Sequence, residues 1–346
     1  MSTDPLRFEP RILTACAQSP AALITQGFVM PRIAIINDYQ TLAAEAADWT
    51  RLPADCSVDI SHDRLDDAEL AAERLAPYEI IVTAREETLF DRKLVERLPK
   101  LKLLITHGMR NAALDLGALR ERGVTVCGTG YGFSMGTVEL AWGLILALAK
   151  NIPAEDAAIR SGDFGLYLPS ALTGKTLGVL GLGDLGSNVA RIGIAFGMDV
   201  VAWSQNLSAE RCATVGVRLV DKASLFEMSD VLSVHLQLSE RTHGLVGADD
   251  LARMKATAFF INTSRGPIVD ERALIDALRN QRIAGAGLDV FDHEPLASGH
   301  PLRSLSNTVL TPHIGGRTRE NFLARYADCM ADIQAWLDGA PLRVLS

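Results

Sequence analysis

Gly181, Gly183 and Gly186 form GxGxxG directly after the strand-like TLGVL and open the helical run SNVARIGIAFG. That spacing suits a pyrophosphate cradle. The first glycine allows a tight turn, the second lets backbone approach a phosphate, and the third lets helix pack close on strand. The helix start adds unpaired N–H groups and a positive dipole end. Asp184 and Leu185, inside the motif, join the expected cofactor contacts. The next strand, VVAW, runs into Ser204, Gln205 and Asn206, where a carboxylate would grip the adenosine ribose of NAD. That carboxylate is missing. No arginine stands at Gln205 or Asn206 to take a 2′-phosphate, and Arg211 lies further along. NAD is the favoured cofactor, with NADP left open. Three further segments look like a catalytic set: NTSRGPIVD with Arg265, GLDVFDHEPL with Glu294 and TPHIGG with His313. Singly, each side chain could be a strand-end cap, a loop charge or a turn residue. Together, at the ends of successive strands, they reverse that reading, because ligands of an open α/β sheet sit outside the carboxyl ends of its strands.

The elements that must hold these groups fall into two alternating series. From Arg32 to Val126 the pieces RIAIIN, SVDIS, EIIVTA, LKLLIT and VTVCG read as strands separated by helical segments, which predicts a parallel sheet covered on both faces. Pro153, Gly162, Gly165 and Pro169 mark a long irregular connection. Six strands follow, at 177–180, 200–203, 231–235, 258–262, 285–290 and 309–311, making a second doubly wound unit. A last helix spans 318–337, with no packing partner readable from pattern. Residues 1–29 read as an extension ahead of MPRIAIIND, which resembles the first strand of a domain.

At 346 residues the chain exceeds the roughly 250–300 residues that one core serves, so two domains are expected. The formal charge of −8 argues against a duplex-DNA binder, which needs a basic stripe. Cys16, Cys56, Cys127, Cys212 and Cys329 are far apart, with no CxxC pair, suggesting neither zinc nor disulfides and a reducing, cytoplasmic setting. The most apolar stretch, 138–149, is shorter than the ~18 residues of a spanning helix and reads as buried, so no membrane partner is expected.

The order GxGxxG, SRG, DVFxxEP, TPHIGG resembles that of the D-isomer-specific 2-hydroxyacid dehydrogenase family, from about Arg32 to the C-terminus. The resemblance implies a Rossmann nucleotide-binding domain at 129–315 inserted into a flavodoxin-like substrate domain at 30–128 and 316–346, in a homodimer formed through the nucleotide domain. It implies that Arg265 holds the substrate carboxylate and polarises the keto oxygen, that His313 is the general acid in reduction and base in oxidation, and that Glu294 orients the imidazole and favours its protonated form. Asp289, Gly315 and Gly316 would meet the nicotinamide end, with Thr263, His235 and Ser204 beside the cofactor. Arg85 in TAREET, with His107 and Gly108 in THGMRNAALDL, occupies the family's substrate positions; Met109 and Arg110 depart from its usual small-residue run. His107 reads equally as a packed polar residue. The implied reaction is reversible hydride transfer between NAD(P) and C2 of a small 2-hydroxy or 2-keto acid, with phosphoglycerate, glyoxylate and hydroxypyruvate as candidates. The alternative is an NAD-sensing, corepressor-like binding protein of the same fold.

Overall fold

A computed structural model describes residues 31–65, 67–130 and 135–345; the expected extension at 1–29 lies outside them. The first sheet joins β1 (Arg32–Ile35), β2 (Ser57–Ile60), β3 (Ile80–Thr83), β4 (Leu103–Thr106) and β5 (Thr125–Gly128). All pairs are parallel, in the order β2-β1-β3-β4-β5, the order of the flavodoxin-like fold that the family resemblance implies. β3 (IIVT) and β4 (LLIT) are buried at every position, which is why they read as apolar runs without alternation.

The second sheet holds β6 (Thr176–Leu180), β7 (Asp199–Trp203), β8 (Arg218–Leu219), β9 (Val231–Val234), β10 (Phe259–Asn262), β11 (Gly285–Leu288) and β12 (Thr308–Leu310). Its order is β12-β11-β10-β9-β6-β7-β8, again parallel throughout. The strand order reverses beside β6, and the crevice of a doubly wound sheet opens there. The sheet has seven strands where six were expected. The extra one, β8, is a two-residue edge strand with both residues exposed, too short to carry a burial pattern.

The connection after 149 also differs from expectation, because it begins as a helix, Ile152–Ser161. Pro153 sits in that helix's first turn, where its missing N–H costs nothing, and Gly162 closes it at φ 99°. The apolar stretch forms the helix Met135–Ala149, whose Val138, Ala141, Trp142, Ile145 and Leu148 bury against the second sheet. No single helix among the described residues is long and apolar enough to cross a membrane.

The helix Arg319–Leu337 starts at Thr318, whose side chain accepts from the Asn321 amide at 3.2 Å. It lies on the first sheet. Phe322, Tyr326, Cys329, Met330 and Ile333 pack with Ile33, Ile35, Ile80, Leu103 and Ile105, and each large apolar side chain contributes roughly 1.5–3 kcal/mol on burial. Tyr326 Oη donates to Asp38 Oδ1 at 3.1 Å. The segment after the helix extends the sheet past β5: Leu345 N donates to Val126 O at 2.8 Å and Gly128 N to Arg343 O at 3.0 Å.

Candidate active site

The loops at the carboxyl ends of both sheets enclose one cleft of about 2290 Å3, larger than the ~300–1,000 Å3 typical of a small-ligand site. Its nucleotide end begins where β6 stops. Gly181 takes φ 104°, and a Cβ there would stand 2.8 Å from the His235 carbonyl. Gly183 starts the helix Asp184–Ala195, and its own Cβ would point into open space. Gly186 does not line the cleft; a Cβ on it would fall 2.0 Å from the Gly181 carbonyl oxygen, so this glycine lets the helix seat against the turn.

Around this cradle lie Asp184, Leu185, Ser204, His235 and Thr263. His235 Nε2 bonds Ser233 Oγ at 2.8 Å, and burial pulls its ring down to about 4, so it is neutral near pH 7. His235 Nδ1 and Thr263 Oγ1 are buried polar atoms without a protein partner. Such atoms need partners, and with the open glycine cradle they fit a dinucleotide. Arg211 turns back onto the glycine turn, donating to Ser187 Oγ at 3.0 Å and Leu182 O at 3.4 Å.

The ends of β10, β11 and β12 carry the catalytic candidates, and Asp289 ties two of these ends together. Buried just after β11, it accepts from Thr311 Oγ1 at 2.6 Å and from the Ile314 and Gly315 amides at 2.8 and 2.9 Å. Burial pushes the Asp289 carboxyl up, and those hydrogen bonds oppose the rise without cancelling it. The loop after β12 is thereby fixed, with His313 at φ 54° and its amide donating to the Asp289 carbonyl at 2.9 Å. A non-glycine residue in the left-handed region is uncommon, and such conformations cluster at functional sites.

His313 Nδ1 then meets Glu294 Oε2 at 2.6 Å, while Glu294 Oε1 accepts from the Phe291 amide at 3.0 Å. Burial pushes the Glu294 carboxyl up, but the His313 bond and charge, the Phe291 amide and Arg265 together hold it below the usual carboxylate range. Arg265 follows β10; its carbonyl is anchored by Asn262 Nδ2 at 3.0 Å, and its Nη1 donates to Ser264 O at 2.7 Å.

Arg85, His107 and Gly108 line the opposite wall, with Met109 and Arg110 at its edge. Glu86 links the walls: its carboxylate is 3.4 Å from Arg85 Nε and 4.0 Å from Arg265 Nη2. Burial, Arg265 and Arg110 lower the affinity of the Arg85 guanidinium for its proton. The Glu86 amide donates to Asn111 Oδ1, and Asn111 Nδ2 to Thr106 Oγ1, which joins this loop to the one after β4. His107 packs edge-on against Phe322 and Tyr326. Both its ring nitrogens are buried without partners, and burial, Arg325 and Arg317 hold the ring down at about 3. Gly108 N donates to Thr129 Oγ1 at 2.7 Å, and Gly108 takes φ 87°. Sequence reasoning missed Glu86, Arg317 with its 2.8 Å partner Glu87, and Arg325. Their only sequence signal is charge, which on a loop or helix reads as a solvated face.

The family model described as D-isomer specific 2-hydroxyacid dehydrogenase, NAD binding domain, matches residues 142–315. A D-3-phosphoglycerate dehydrogenase of Archaeoglobus fulgidus is 34% identical over 309 residues, covering 88% of this chain and 57% of the relative. A glyoxylate reductase of Thermococcus litoralis is 38% identical over 239 residues, covering 66% of this chain and 72% of the reductase. The chain belongs to the D-isomer specific 2-hydroxyacid dehydrogenase family. It spans little more than half the length of the phosphoglycerate dehydrogenases from Archaeoglobus and Synechocystis that it matches, at 57% of each. The crystal structure of a phosphoglycerate oxidoreductase from Vibrio cholerae O395 superposes with a TM-score of 0.83 at 32% identity, covering 90% of this chain and all of that one. The matched segment, 142–315, includes the glycine cradle, Arg265, Asp289, Glu294 and His313 of this chain.

Proposed function

We propose that this chain catalyses reversible hydride transfer between a nicotinamide cofactor and C2 of a small 2-hydroxy or 2-keto acid. The observation that carries the reading is the 2.6 Å contact between His313 and Glu294, in the cleft that also holds Arg265 and the open glycine cradle. The nicotinamide, when bound, supplies or accepts the hydride. The protein's own residues do the rest. Arg265 takes the substrate carboxylate in a charge-assisted contact and polarises the neighbouring keto oxygen. With Nδ1 engaged by Glu294, His313 keeps Nε2 for the substrate oxygen, giving a proton in reduction and taking one in oxidation. Glu294 is the positioning carboxylate, holding the imidazole through Nδ1.

Gly181, Gly183, Asp184, Leu185 and Ser204 are the proposed contacts of the pyrophosphate and adenosine end, with Gly186 shaping the turn. His235, Thr263, Asp289, Gly315 and Gly316 flank the nicotinamide end. NAD is the proposed cofactor, since the Arg211 guanidinium is engaged on Ser187 and Leu182. The proposed division is a nucleotide domain at 129–315 and a substrate domain at 30–128 with 316–346. The relatives are named as phosphoglycerate dehydrogenases and glyoxylate reductases, which favours an enzyme over a corepressor-like binding protein and makes phosphoglycerate, glyoxylate and hydroxypyruvate the candidate substrates. A homodimer is proposed through the second unit, where Ile152, Ile159, Phe164, Leu166, Tyr167 and Leu168 expose apolar surface.

The test is nicotinamide absorbance with NADH and then NADPH, offered glyoxylate, hydroxypyruvate, phosphohydroxypyruvate, oxaloacetate and pyruvate. Oxidation with one pair supports the reading and names substrate and cofactor. Cofactor binding without turnover of any of these acids would sink it.

A further inference from the structure

The substrate end of the cleft holds more positive charge than one carboxylate requires. Arg85, Arg110, Arg265, Arg317 and Arg325 line it. Glu86 stands between Arg85 and Arg265, Glu87 pairs with Arg317, and Glu294 is taken by His313. Arg325 has no such partner among the described residues. Its Nε is buried without a hydrogen bond, the Phe322 ring centroid lies 5.9 Å from its guanidinium carbon, and the charged groups nearest in effect are two more arginines, Arg85 and Arg317. A half-buried cation among like charges is costly unless an anion joins it.

The position of Arg325 says which anion that is. A Cβ on Gly316 would stand 3.6 Å from Arg325 Nη2, so the guanidinium flanks the loop that carries His313. Asn321 Nδ2 holds the Gly316 carbonyl at 3.1 Å, fixing the helix that bears Arg325 against that loop. Adjacent His107 is neutral and adds no charge. With Arg265 assigned to the carboxylate beside the reacting carbon, Arg325, the half-exposed Arg85 and the exposed Arg110 remain for another group on the same molecule.

We propose that Arg325 is a specificity-determining residue that receives a second anionic group of the substrate, either a phosphomonoester or a second carboxylate. This rests on the dehydrogenase reading and narrows its substrate class to dianionic 2-keto acids. The guanidinium fork suits either oxyanion.

The test compares kcat/KM for phosphohydroxypyruvate and oxaloacetate with that for hydroxypyruvate, in the wild type, Arg325→Met and Arg325→Lys. The wild type is expected to favour at least one dianionic acid. Arg325→Met is expected to lower that preference about 10- to 100-fold, chiefly through KM, with partial recovery in Arg325→Lys. The favoured acid tells phosphate from carboxylate. A wild type with no dianion preference, or a Met variant that loses both substrate types in parallel, overturns the proposal. Thermal unfolding with inorganic phosphate supplies a readout independent of turnover. A phosphate-dependent rise in Tm that disappears in Arg325→Met supports the anion site even if no keto acid is reduced, in which case the dehydrogenase reading alone fails. A Tm insensitive to phosphate in a wild type that also lacks a dianion preference overturns the anion site alone.

Discussion

Glu294 is held at both oxygens, Oε2 by His313 Nδ1 at 2.6 Å and Oε1 by the Phe291 amide at 3.0 Å, so the imidazole is aimed by a carboxylate that cannot swing. Replacing the carboxylate by an amide of the same shape tests charge apart from geometry.

Glu294→Gln is expected to lower kcat/KM for keto-acid reduction about tenfold or more, because the imidazole loses the charge-assisted contact that aims it. The stability consequence has a definite sign. The folded Glu294 carboxyl is held below its ordinary range, so its contribution is present above the unfolded carboxylate pKa and lost as pH falls through the lowered folded value. The Tm difference between wild type and Glu294→Gln should therefore narrow on acidification. An unchanged kcat/KM would argue against the positioning role.

His313→Ala and Arg265→Ala should each lower kcat/KM by about 10²-fold or more, the ordinary worth of a positioned acid or a charge-assisted clamp. Both side chains are partly exposed, so circular dichroism should report an intact fold. Near-wild-type rates in either variant would remove the proposed mechanism.

Gly186→Ala places a methyl group 2.0 Å from a backbone oxygen that cannot rotate aside. The helix must back away from the glycine turn. NADH affinity, read by fluorescence titration, should fall at least about tenfold, with a stability loss of about 1–3 kcal/mol. Wild-type NADH affinity would show that the close helix–turn contact is not needed for the cradle.

Leu168 and Phe164 are 94% and 88% exposed. If they bury in a homodimer, Leu168→Glu should shift light-scattering mass from dimer to monomer at micromolar concentration. A variant that stays dimeric would move the interface elsewhere.

Much of this was legible in the sequence because it is local. The fully buried strands announce themselves as apolar runs, and the glycine turn by its spacing after β6. His313, Glu294 and Arg265 were legible as strand-end motifs, although their meeting depends on Asp289 joining the ends of β11 and β12. Non-local relations were not legible from pattern, and only the resemblance implied that the last helix joins the first unit. The partner of the last helix is decided by side chains some 290 residues away, such as Asp38 against Tyr326. β8 is set by its neighbour β7 rather than by a pattern of its own. Arg317 and Arg325 look like solvated loop and helix charges until the fold turns them toward the cleft. His107 kept two readings because a buried, partnerless imidazole and a ligand-facing one share the same letters.

The helix Arg319–Leu337 covers one face of the first sheet, and the segment after it extends that sheet past β5. During synthesis, β1 to β5 therefore leave the ribosome with Ile33, Ile35, Ile80 and Leu103 still lacking their cover. The strands from β6 to β12 are all delivered before that cover arrives. The sheet translated first is thus the last to finish, and through that interval its uncovered apolar face is open to aggregation.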